Sequence, residues 1–117
     1  MVDVRFREVV VDCADPPTLA RWWSSFTGYT LRTDREDWST IANEDQSMII
    51  GFQKVPEGKV VKNRVHLDVE VDDIPTATAE AEALGATRVG EIHVDTAGSF
   101  QVLLDPEGNE WCVVSPA

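Results

Sequence analysis

The stretch NRVHLDVEVDD, residues 63–73, carries His66, Asp68 and Glu70 at alternate positions. In an extended strand these three share one face, while Leu67, Val69 and Val71 share the other. A histidine among carboxylates can ligate a divalent metal, or remove a proton next to a carbonyl. The same pattern also describes the wet side of an ordinary sheet, with the histidine hydrogen-bonded across it. Residues 5–13 repeat the alternation, with Val9, Val11 and Cys13 on one face and Glu8, Val10 and Asp12 on the other. The last strand adds Glu110 and Cys112. Acids gathered in a partly desolvated cup raise one another's pKa values. Arg64 has the parity of His66 and is the available cation for steadying an oxyanion on that face.

A second kind of chemistry comes from the aromatics Trp22, Trp23, Trp38 and Phe100. Aromatic walls with a few acids suit a flat, cationic or amphipathic ligand. Trp22 and Trp23 are neighbours on a helix and cannot both point squarely inward, which places one at an edge, an interface or a cavity mouth. Trp38 and Phe100 occupy equivalent strand positions and face either a core or a cavity. Cys112 beside Trp111 reads as a small buried hydrophobe or as a soft metal ligand. His93, in EIHVDTAG, reads as a surface residue of a loop-like stretch.

These residues are carried by two halves built on one plan. In the first, a strand over 5–13 leads to Asp15 and Pro16-Pro17, a helix cap followed by proline in the first turn. Leu19, Trp22, Trp23 and Phe26 recur at helical spacing, and Gly28 ends the helix. YTLRTD, DWSTIAN and SMIIGFQKV follow as strands, and PEGKVVKN as a polar linker. The second half repeats the order. VHLDVEVDD is a strand, Asp73 precedes Ile74-Pro75, TATAEAEAL is a helix stopped by Gly85, and TRVGEIH, SFQVLLD and EWCVVS are strands. EVVVDCAD aligns with HLDVEVDD without a gap, pairing Glu8 with His66 and Asp15 with Asp73 at an offset of 58 residues. A βαβββ unit repeated in tandem is an internal duplication.

The 117 residues suffice for one compact domain, and 43% hydrophobic with 26% charged residues is a globular composition. Ten basic against 21 acidic residues give a net charge of −11, which repels phosphate backbones and anionic lipid and so excludes nucleic acid and membrane as partners. No apolar run reaches the roughly 18 residues of a membrane span, and MVDVRFREVVV lacks a signal-peptide core. Cys13 and Cys112 fit no CxxC spacing and read as a reduced pair in a cytoplasmic protein.

Four segments, VVVDCADPPTLARWWSSFTGY, NRVHLDVEVDDI, EALGA and LLDPEGNEWCVV, run in an order that resembles the vicinal-oxygen-chelate superfamily, in its glyoxalase-like, glyoxalase/bleomycin-resistance branch. The resemblance implies an α+β fold of tandem βαβββ modules, whose cupped, mostly antiparallel sheets form a barrel-like cavity with helices outside. It implies one domain over residues 1–117, with module 1 at about 1–56, a linker at about 57–63 and module 2 at about 64–117. It also implies a homodimer.

Members of the superfamily include metal-dependent isomerases, lyases, epimerases and dioxygenases, as well as metal-free proteins that sequester planar or glycopeptide drugs, so fold alone does not give function. Carried over position by position, the first- and last-strand metal ligands fall on Glu8, Gln53, His66 and Cys112. This is neither the usual two-histidine, two-glutamate set nor a 2-His-1-carboxylate triad. The expected function is therefore that of a small-molecule-binding, glyoxalase/bleomycin-resistance-like protein without a standard metal site. Asp12, Gln53, Asp68, Trp38, Phe100 and Glu110 are its expected ligand-binding residues. The alternative is a metal-dependent lyase or isomerase acting on a small carbonyl or thiol-adduct substrate. There His66 and Glu8 would be catalytic, and zinc, nickel, manganese or iron would sit on the four-residue set.

Overall fold

The computed structural model describes residues 2–117. The chain divides into two compact units, one ending at Gly58 and the other running Lys59–Ala117. The first contains β1 (Val9–Cys13), α1 (Pro16–Thr27), β2 (Thr30–Asp34), β3 (Trp38–Ala42) and β4 (Ile49–Lys54). The second contains β5 (Asp68–Glu70), α2 (Ile74–Ala83), β6 (Thr87–Asp95), β7 (Gly98–Leu104) and β8 (Glu110–Pro116). Each unit is thus a βαβββ module, and the fold is α+β as expected.

The strands form two separate, cupped four-stranded sheets rather than one closed barrel, in the orders β1-β4-β3-β2 and β5-β8-β7-β6. Both sheets are mixed. The first strand runs parallel to the last (β1 with β4, β5 with β8), and the other pairs are antiparallel. The duplication extends to the caps. Asp15 accepts a hydrogen bond from the Thr18 amide at 3.3 Å, and Asp73 accepts one from the Thr76 amide at 3.0 Å, each ahead of a helix with proline in its first turn. Gly28 and Gly85, at φ of 75° and 111°, lie just past the two helices in the conformation glycine adopts most cheaply.

Each helix covers one sheet face. In the first module Leu19, Ala20, Trp22 and Trp23 of α1 are buried with Ile41 and Phe52 of the sheet. Both tryptophans are buried, at 8% and 2% exposure. The Trp22 ring meets the edge of Trp23 at 5.1 Å and stacks on Phe26 at 5.9 Å, so the residue one turn later covers the side of the helix that would otherwise face water. In the second module Ile74, Ala77 and Ala81 of α2 are buried with Leu103, Trp111 and Val113.

Three strand boundaries differ from expectation. β1 starts at Val9 rather than residue 5. It pairs Val9 with Ile50, and β4 itself begins at Ile49, so residues 5–7 have no β4 residue opposite them. β5 shrinks to Asp68–Glu70, with single backbone bonds beyond each end, Cys112 N to Leu67 O and Val71 N to Val114 O. Ahead of it, Asn63 folds onto Glu110, its backbone N–H donating to the carboxylate and its side-chain amide to the Glu110 carbonyl. β6, by contrast, runs past the expected end at His93 to Asp95, so the first half of EIHVDTAG is strand and not loop.

Candidate functional site

The helix-free face of each sheet carries the candidate residues, and strand register decides which of them meet. In the first module Asp12 pairs with Gln53, and Gln53 with Trp38, so these three expected ligand-binding residues form one transverse row. The neighbouring row is Val10, Gly51 and Thr40. The six-membered ring of Trp38 lies over Gly51, where a Cβ would overlap it. Cys13, on the helix side, donates its thiol to Gln53 O at 3.7 Å. Glu8 stands half-buried, one residue ahead of β1.

In the second module the corresponding rows are Asp68, Cys112, Val102 and Val89, and then Glu70, Val114, Phe100 and His93. At the 58-residue offset Val10 matches Asp68, so the counterpart of Cys112 is Gly51, while the counterpart of Gln53 is Val114. The expected ligand quartet therefore needs a correction. Gln53 sits two residues further along β4 than the position equivalent to Cys112. The equivalence of Trp38 and Phe100 holds, because each pairs with the residue at that second position.

The register also brings together a group that sequence reasoning had assembled only in part. His66 Nε2 stands 3.3 Å from Asp68 Oδ1, and Asp68 faces Cys112 across the β5–β8 pair. One ligand atom from each of His66, Asp68 and Cys112 can be chosen so that all lie within 4.8 Å of one another. His66 and Asp68 are exposed and Cys112 is buried. Burial, reinforced by the Asp68 carboxylate and opposed by Lys62, pushes the Cys112 thiol up from its ordinary value. With no metal bound, Cys112 is a neutral thiol near pH 7 and a poor nucleophile. A histidine, a carboxylate and a cysteine are the donor types of an open tetrahedral zinc site, which uses three protein ligands and leaves a fourth position free. The donor set therefore fits a divalent metal of zinc type.

These residues lie at the edge of a cavity of about 570 Å³ contained within the second module. Phe100, Val102 and Val114 make its apolar floor, and Lys62, His66 and Asp68 are among the polar residues that line it. The volume falls in the range of drug-sized ligand pockets. Phe100 is held by His93, whose ring stacks on it at 4.8 Å. Neither Lys62 nor His93 was among the expected site residues. The alternation of β6 is broken by a bulge between Val89 and His93, which hid the pairing with Phe100.

Glu110 lines the same cavity, yet its carboxylate is already engaged. It accepts the Asn63 amide at 2.7 Å and the Lys59 ammonium at 3.1 Å, and so clasps the linker onto β8. The Asn63 hydrogen bond, followed by Lys59, holds the carboxyl below the ordinary glutamate value against the opposing push of burial.

The sequence from residue 8 to residue 114 matches the family model described as glyoxalase-like domain. No curated protein matches. Among solved structures, the chain is similar to a protein from Agrobacterium tumefaciens at 16% identity and a TM-score of 0.83, covering 98% of this chain and 99% of that one. It is similar to a glyoxalase/bleomycin resistance protein/dioxygenase family enzyme from Burkholderia phytofirmans PsJN at 18% identity and a TM-score of 0.78, over 95% and 98% of the two chains. It is also similar to the bleomycin-binding protein of Streptomyces verticillus, solved with copper(II)-bleomycin, at 17% identity and a TM-score of 0.70 over the whole of both chains. At such identities the likeness concerns the fold.

Proposed function

We propose a function from an established premise, that this chain belongs to the glyoxalase-like domain family of the vicinal-oxygen-chelate superfamily. The function is the non-covalent capture of a flat, largely apolar small molecule with a polar or cationic end. The observation that carries it is the cavity of about 570 Å³ in the second module, with its Phe100, Val102 and Val114 floor and its polar cluster at His66 and Asp68. An apolar floor with a few placed polar groups is the usual make-up of a ligand site. A net charge of −11 adds a field that draws in cationic ligands. The likeness to a bleomycin-binding protein supports the same class of ligand. In the first module, Asp12, Gln53 and Trp38 offer a second polar-aromatic row for contact. The capturing form is a homodimer, which sedimentation at twice the chain mass would bear out.

The test is titration with metal-free bleomycin and with a neutral planar dye, followed by the fluorescence of Trp111, which lines the cavity. Saturable binding is expected. Phe100→Ala should weaken it about 10- to 100-fold, the equivalent of roughly 1.5–3 kcal/mol of lost aromatic burial. If neither probe saturates, or if Phe100→Ala leaves the affinity unchanged, capture in this cavity is wrong.

A second reading is favoured by the convergence of His66, Asp68 and Cys112. It is a metal-dependent lyase or isomerase acting on a small carbonyl or thiol-adduct substrate. His66, Asp68 and Cys112 would hold a divalent metal, which when bound would supply polarisation of a carbonyl oxygen. The cavity's apolar floor would hold the remainder of the substrate and exclude water, and a carboxylate would take the proton adjacent to the carbonyl. Turnover of a hemithioacetal by protein loaded with zinc, nickel, manganese or iron separates this reading from simple capture.

A further inference from the structure

We propose that the second module holds its own zinc-class metal site, made by His66, Asp68 and Cys112, with Asp68 as the third ligand and no contribution from Glu8 or Gln53. The proposal concerns metal binding alone, and it stands or falls apart from capture of an organic ligand.

Three observations carry it. First, the His66 Nε2 to Asp68 Oδ1 separation of 3.3 Å equals the edge of a tetrahedron whose corners lie about 2.0 Å from its centre, the ordinary Zn–N and Zn–O length. The full set of three atoms spans at most 4.8 Å, so a small side-chain rotation closes it around one ion. Second, the backbone supports the grouping. Asp68 and Cys112 are register partners in a parallel pair, and His66, just ahead of β5, sets its imidazole beside the Asp68 carboxylate. Third, the first module cannot build the equivalent corner. Its matching row offers Val10, Gly51 and Thr40, and the Trp38 ring occupies the space over Gly51. A thiolate beside imidazole and carboxylate selects zinc or cobalt over magnesium and calcium. Because all three ligands line the cavity, the fourth position of the ion faces it and is open to water or to a ligand atom.

The test uses the full chain, freed of metal by a chelator with its thiols kept reduced, and titrated with Co²⁺ as the probe. The expected result is one equivalent bound, with tetrahedral d–d bands and a thiolate-to-cobalt charge-transfer band, all displaced by Zn²⁺. Cys112→Ser should abolish the charge-transfer band. Cys112→Ala replaces it if the serine variant does not fold. Asp68→Asn and His66→Ala should weaken binding by more than the roughly 10- to 100-fold that loss of a supporting residue costs. Both residues are exposed, so these variants should keep the far-ultraviolet circular dichroism of the parent. Glu8→Gln and Gln53→Ala should bind Co²⁺ as the parent does. Absence of the charge-transfer band in the parent overturns the site. Weakening in Glu8→Gln or Gln53→Ala equal to that in Asp68→Asn overturns its confinement to these three residues.

Discussion

Replacing Gln101 by leucine tests whether the bulge of β6, next to the His93–Phe100 pair, is held by a single side chain. Gln101 lies on β7, is 1% exposed, and points to the helix side of the sheet. Its amide nitrogen donates to Val89 O at 3.1 Å, Gly90 O at 3.3 Å and Val102 O at 3.0 Å. The first two carbonyls belong to the bulge of β6, where the ladder to β7 lapses between Val89 and His93. An amide NH2 has two hydrogens, so three acceptors share about two full hydrogen bonds. Each is worth about 1 kcal/mol net, and a buried carbonyl left without a donor costs about 1–3 kcal/mol. Leucine keeps nearly the same bulk, so the cavity penalty is small. Gln101→Leu should therefore lower the unfolding free energy by about 2–4 kcal/mol in urea melts.

Gln101→Glu supplies a signature that packing alone would not. A carboxylate facing three carbonyls is disfavoured, so its folded pKa must rise above the unfolded value. Stability is then retained below roughly pH 4 and lost progressively as pH rises from there. At neutral pH this variant should be less stable than Gln101→Leu. A leucine variant within about 0.5 kcal/mol of the parent, or a glutamate variant whose stability does not fall with rising pH, would refute the reasoning.

Two further perturbations reach the site from other sides. Glu110→Gln removes the charge from the linker clasp at Asn63 and Lys59 and should cost about 1 kcal/mol at pH 7. Because the folded pKa of Glu110 is depressed, its contribution is present above the ordinary value of 4.5 and lost as pH falls through the lower folded one. The gap between parent and variant in denaturation midpoints should therefore close on acidification, and a gap that persists at pH 2 contradicts the clasp. Gly51→Ala puts a methyl where the Trp38 ring lies, and the indole must swing off the sheet. Trp38 emission should become more exposed to an acrylamide quencher, measured with Trp22, Trp23 and Trp111 replaced by phenylalanine. Unchanged quenching would mean that the ring does not rest on Gly51.

Much of the fold could be read from local patterns, because those patterns are local in cause. The Asp-plus-proline starts at Asp15 and Asp73, and the glycines at positions 28 and 85, depend on residues within one helical turn. They revealed the duplication and, through it, the topology. Register is different. Whether Gly51 or Gln53 stands opposite Val10, the counterpart of Asp68, depends on hydrogen bonds between residues about 40 positions apart, and no periodicity reports them. The two-residue error preserved the face, since strand parity has a period of two, but moved the candidate ligand to the wrong row. The pairing of His93 with Phe100 was missed for a related reason. The ladder shifts register between Val89 and His93, and no local pattern reports which residue then stands opposite. Glu110 looked free because its partners lie in a polar linker, where composition signals only solvation.

The correction in register changes what the duplication means for chemistry. With Gln53 opposite Cys112 in the comparison, both modules seem to carry a degraded version of one ligand pair. With Gly51 in that place, they differ in kind. The same backbone corner holds an imidazole, a carboxylate and a thiol in the second module, and an indole resting on a glycine in the first. An indole there contributes a flat apolar surface and no lone pair to a metal, whereas the other corner contributes donors to a cation and little surface. Capture in the second-module cavity also uses His66 and Asp68, so a bound metal would take over the polar end of that site and leave its floor of Phe100, Val102 and Val114 to the ligand. Single substitutions can separate the two, since Phe100→Ala disturbs the apolar floor and Cys112→Ala the donor corner.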